Sequence, residues 1–131
     1  MSNTVKVGTD DFVRVPRLEV GGANWVLYKD RLLWAADAKG VLGHLDGTSK
    51  EPEPPRQTGQ AAAGTPDSTQ TQYEADFAAW RKGEATAKQL VASTIPDSLF
   101  MKVRSRGTAR AIWLAITAEF EKKSRMVTVD L

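Results

Sequence analysis

The sequence predicts an all-α fold, a small orthogonal bundle of about four to five helices with an extended N-terminal arm and a long flexible loop. Three observations predict it. Thr108–Lys123 carries Ala109, Ile112, Trp113, Ile116 and Phe120 at spacings of three and four, one stripe of a 3.6-residue helix. Two other stretches, beginning at Trp25 and at Tyr73, repeat that spacing. Between those two the composition turns polar and proline-rich, and no large apolar residue occurs from Asp46 to Gln72.

Residues 1–20 read as the extended arm, with Val13, Val15, Leu18 and Val20 around Pro16, which interrupts both helix and ladder. Gly21-Gly22 breaks the chain ahead of Asn24, an N-cap residue. A helix follows from Trp25 to about Lys39 and closes on Gly40 as its C′ residue. Trp25, Tyr28, Leu32, Ala35 and Ala36 form its main stripe, while Leu27 and Trp34 lie nearly opposite. Leu27 and Trp34 are therefore either a second internal contact or a protein–protein surface. Val41, Leu42 and Leu45 make one more short turn before Asp46-Gly47.

Residues 46–72 hold Pro52, Pro54, Pro55 and Pro66 among Gly, Ser, Thr and Gln, too little apolar surface to offset ordering entropy, so a flexible loop is expected. A helix resumes over Tyr73–Ile95, with Tyr73, Phe77, Trp80, Ala87, Val91 and Ile95 in register. Glu84 precedes Lys88 by four residues, the favourable order for a surface ion pair. Pro96 ends that helix, Asp97 caps a short one through Leu99, Phe100 and Val103, and Thr108 caps the next. A further, unfinished helix is expected from about Arg125. The candidate core is Trp25, Tyr28, Leu32, Phe77, Trp80, Val91, Ile112, Trp113, Ile116 and Phe120.

The 131 residues suit one domain, here residues 21–131, and the 41% apolar share permits a core. Lys+Arg at 18 against Asp+Glu at 16 is nearly balanced, but residues 102–125 hold seven cations against two acids. Lys102, Arg104, Arg106 and Arg110 are the candidate RNA-facing groups of that patch. The absence of cysteine excludes disulfides, thiol catalysis and cysteine-based zinc sites. No apolar run approaches the ~18–20 residues that cross a bilayer, nothing resembles a signal peptide, and a soluble cytoplasmic chain is expected. His44 has no second histidine or cysteine with which to share a metal and reads as a surface or packing residue. Asp10-Asp11, the adjacent acid pair of the arm, lacks the rigid, desolvated setting that acid–base chemistry needs. Phosphate-loop and nucleophile-elbow patterns are missing as well. No catalytic residue, cofactor, metal or small-molecule substrate is expected.

Four segments carry a family resemblance. Val20-x-Gly22-x-Asn24-Trp25-x-x-Tyr28-Lys29 opens the first helix, and Leu42–Gly47 ends a hydrophobic turn in D-G before the loop. Trp80, Glu84, Ala87, Val91 and Ile95 precede Asp97-Ser98-Leu99, and Thr108-Ala109 leads to Ile112-Trp113, Ile116 and Phe120. In this order they resemble the capsid region of Gag from copia-type LTR retrotransposons, over about residues 18–131. Val20 stands where that pattern has leucine and Tyr28 where it usually has a second tryptophan. The resemblance implies a helical capsid lobe, the N-terminal part of a capsid protein, that self-associates into a shell packaging RNA. Leu27 and Trp34 become the candidate self-association residues. The competing class is a helical adaptor that binds a protein or peptide partner without forming a shell.

Overall fold

In the computed structural model, residues 15–55 and 66–130 are described. They form α1 (Trp25–Ala38), α2 (Leu42–Asp46), α3 (Pro66–Ala92), α4 (Asp97–Val103) and α5 (Ala109–Asp130), with a 3-10 turn at Arg104–Arg106. No strand occurs among the described residues, so the fold is all-α, as the periodicities require.

Aromatic side chains set how α1 meets α5. Trp25 stacks on Phe120 at 5.5 Å between ring centroids and packs tilted against Trp113 at 5.8 Å. Tyr28 closes the group at 6.1 Å from Trp25 and 6.4 Å from Trp113. Such rings bury large areas and prefer these offset or tilted arrangements, so truncating one buried tryptophan costs about 3–5 kcal/mol. Polar tips are satisfied at the edge of the cluster. The Trp25 indole N–H donates to Glu121 Oε2 at 3.2 Å, an oxygen that also receives the Lys29 ammonium. The Tyr28 hydroxyl lies 2.9 Å from Thr94 Oγ1, and burial pushes its pKa up to about 12 although the Thr94 bond acts the other way.

Entry to α1 requires a glycine. Gly22 has φ +79°, and a Cβ there would lie 2.5 Å from the Phe120 ring. Asn24 holds the N-cap position of α1 without capping it. Its side-chain oxygen accepts from the Glu19 amide at 3.0 Å and its NH2 donates to the Arg17 carbonyl at 3.0 Å. Leu18, only 2% exposed, donates its backbone N–H to Thr94 O at 2.8 Å. Residues 15–20 of the expected arm are thus fastened to the bundle, because Leu18 is an anchor that pays for the ordering. Residues 1–14 of that arm lie outside the described residues.

The far end of α1 closes as the sequence suggests. Gly40, at φ +77°, donates to Asp37 O and Val41 to Ala36 O, the paired bonds of a Schellman motif, with Val41 buried beside Ala36. Helix α2 stops at Gly47, φ +89°, and Asp46 binds the Thr48 hydroxyl and amide. Those two bonds, the hydroxyl first, hold the Asp46 pKa below the ordinary carboxylate value.

Two boundaries differ from expectation. Helix α3 starts at Pro66, so residues 66–72 of the expected 46–72 loop are helical; residues 56–65 lie outside the described residues. Proline suits a first helical position, and Gln70→Glu74 and Gln72→Asp76 bonds at 3.0 and 2.8 Å support this turn without apolar burial. The expected second helix from about Arg125 is instead the end of α5, which runs unbroken to Asp130 because neither glycine nor proline interrupts it. Asp97 is also no cap: Pro96 occupies that position, and Asp97 lies 3.7 Å from Arg17 at an exposed surface.

Candidate functional site

Eight of the ten candidate core residues are buried: Trp25, Tyr28, Leu32, Val91, Ile112, Trp113, Ile116 and Phe120. Phe77 and Trp80 are not; both are half-buried. They form a ladder with Tyr73 along the N-terminal half of α3, at 5.8 and 5.9 Å between successive rings. Residues 69–80 of the helix are all exposed or half-buried, so its aromatic rings cover one another more than they enter the core. Trp80 ends the ladder 6.0 Å from the His44 ring, with its indole N–H buried and lacking a hydrogen-bond partner among the described residues.

His44 belongs to a joint that sequence reasoning missed. Its Nδ1 lies 2.8 Å from Glu84 Oε2, and Glu84 Oε1 accepts the Ala109 amide at 3.0 Å. Both side chains are buried, so Glu84 is no solvated partner of Lys88. One carboxylate therefore joins α2, α3 and the start of α5, where its charge also suits the helix dipole. Thr108 completes the cap, its hydroxyl accepting from the Ala111 amide at 3.1 Å. Gly83 leaves room for the imidazole; a Cβ there would collide with the His44 ring. The signal available in the sequence was Glu84 four residues after Trp80 in a helix whose next inward residue is Ala87.

The four candidate RNA-facing cations separate. Arg110 is half-buried, and its guanidinium donates to the Leu45 carbonyl at 2.7 Å and packs beside Gly47. It secures the end of α2 and is not a free surface charge. Lys102 is exposed and lies 4.0 Å from Glu119. Arg104 and Arg106 are exposed on the 3-10 turn.

The outer face of α1 presents Leu27 at 48%, Val26 at 57% and Trp34 at 79% exposure. The opposite face is closed by Trp25, Tyr28, Leu32, Ala35 and Ala36, so these three side chains are unused by the bundle. Among the described residues no group of three or more His, Cys, Asp or Glu side chains is placed to hold a metal, and no helix is long and apolar enough to cross a membrane.

The described residues thus define a small all-α lobe with a sealed aromatic core and apolar side chains left on one outer face. The gag-polypeptide family of LTR copia-type matches residues 33–131, more than half of the chain, and the chain belongs to that family. Its role is accordingly Gag- or capsid-related. The matched span begins just before Trp34 and leaves out the Val20–Lys29 segment. No curated protein and no solved structure matches the chain.

Proposed function

We propose that this lobe is a Gag-like structural protein that self-associates into a particle shell around RNA in the cytoplasm, with no catalytic step of its own. The observation that carries the proposal is Trp34, a tryptophan 79% exposed on a helix whose inner face is already full. Tryptophan is among the residue types enriched where interface energy is concentrated. Leu27, seven residues earlier, and Val26 widen the same apolar face. Individually weak contacts of this kind, repeated over many copies, suit a shell. Arg104 and Arg106 are the cations best placed to meet packaged RNA, while Arg110 is committed to the fold.

Trp34→Ala tests the assembly face. The variant should keep the wild-type unfolding free energy in urea within about 0.5 kcal/mol, as an exposed substitution does, and lose higher-order species in sedimentation velocity. A large stability loss, or unchanged association, removes Trp34 from the interface. A persistent monomer that captures a peptide or protein partner through this face would support the adaptor class instead.

A further inference from the structure

The charges on the outer face of α1 are ordered around its exposed apolar residues. Leu27 and Trp34 lie almost on one line along the helix, about 20° apart at 100° per residue. Arg31 sits about 50° to one side of that line and Asp30 about 50° to the other, with Asp37 extending the acidic side. All five side chains are exposed. Neither Asp30 nor Arg31 enters an ion pair within the described residues. The lobe thus presents an apolar ridge with one acidic and one basic flank, turned away from the filled inner face of the helix.

We propose that this ridge receives the same ridge of a second copy, the two α1 helices lying side by side, parallel and in register about a two-fold axis. Trp34 packs on Trp34 of the second copy and Leu27 on its Leu27. Each Asp30 faces an Arg31 only about 1.5 Å further along the axis, and symmetry makes that pair twice. The proposal deepens the self-association reading and rests on it.

Charge selects both the occupant and its direction. A two-fold axis along the helices turns the acidic flank of one copy onto the basic flank of the other. A two-fold axis across them, which makes the helices antiparallel, sets acid on acid and base on base whatever the register. Opposite charges on facing flanks favour the first arrangement, and like charges oppose the second. The parallel pair also brings the two Trp34 rings together, and aromatic pairs add to the gain from area burial. One helix pair buries less than the ~1,200 Å² at which stable interfaces begin, so the dimer is a weak one. An isologous contact closes at two copies, and a shell needs a further surface beyond it.

The sequence holds no cysteine, so a single introduced one reads the geometry. With oxidised glutathione, Leu27→Cys should give a covalent dimer, because the parallel pair sets the two positions at one height and within disulfide reach. In an antiparallel pair centred between Leu27 and Trp34 they stand about 10 Å apart along the axis, beyond that reach. Val26→Cys is the control: Val26 is exposed but about 90° from the ridge, and it should not cross-link. In sedimentation equilibrium, Asp30→Arg and Arg31→Asp should each weaken the dimer about tenfold, and the two together should restore it, all at an unchanged urea midpoint. A wild-type chain that associates while Leu27→Cys fails to cross-link, or while the combined exchange fails to restore the dimer, overturns the parallel pair and leaves the self-association reading standing. A wild-type chain that stays monomeric at every concentration overturns that reading and the pair with it.

Discussion

Glu84→Ala is the substitution that most directly tests how this bundle is held. The carboxylate takes one bond from the His44 ring at 2.8 Å and one from the Ala109 amide at 3.0 Å, both in buried surroundings. Alanine leaves two buried donors without acceptors, at about 1–3 kcal/mol each, and removes a charge that favours the α5 N-terminus by a further ~0.3–1 kcal/mol. The expected loss is about 3–5 kcal/mol, or about 10–20 °C in Tm for a chain of this size. Glu84→Gln keeps an oxygen for the Ala109 amide and should lose only about 1–2 kcal/mol. Urea unfolding followed by circular dichroism and tryptophan fluorescence reads both values, with an unchanged m-value showing that the comparison is of native states. Gly83→Ala displaces the same imidazole, so its cost should fall by about 1 kcal/mol in the Glu84→Ala background. A Glu84→Ala loss below about 1 kcal/mol, the size expected of a solvated pair with Lys88, would refute the joint.

Other expectations follow from single features. Tyr28 ionises near 10 when unfolded and at about 12 when folded, so the stability from its neutral form is complete below pH 10 and drains away as pH rises to 12. That loss of about 2–3 kcal/mol should be missing from the Tyr28→Phe profile and so appear in the difference between wild type and variant, read from urea unfolding between pH 9 and 12. Gly22→Ala combines a left-handed backbone with a collision against Phe120 and should cost about 2–4 kcal/mol by thermal unfolding. Arg110→Ala should lower the urea midpoint by the equivalent of about 1–2 kcal/mol in unfolding free energy through loss of the Leu45 bond. Arg104→Ala with Arg106→Ala should leave that midpoint alone and flatten the salt dependence of binding to a generic RNA by filter binding.

The helices were legible because each buried stripe is local: Trp25, Tyr28 and Leu32 announce their common face within two turns, and so do Ile112, Trp113 and Ile116. The same pattern put Trp34 opposite that stripe but left open whether a second internal contact covered it; the structure leaves it 79% exposed. What the pattern concealed was the direction of charge. Glu84 reads as half of a surface pair because Lys88 is local, whereas its partners stand 40 residues earlier and 25 later in the chain. Arg110 reads as one cation in a basic run until α2 brings the Leu45 carbonyl beneath it. Tyr73, Phe77 and Trp80 keep helical register, but register alone does not say whether a neighbouring helix is there to receive them.

Arg110 holds the last turn of α2 from one side of the intervening connection, and the Glu84 carboxylate holds α3 from the other. Neither attachment uses residues 48–65, so the two anchorages keep their geometry whatever is spliced between them. Doubling such a connection raises its closure cost by only about 0.6 kcal/mol. Epitope tags or foreign peptides placed there should therefore leave the lobe's interior packing, and its melting temperature, close to those of the parent chain.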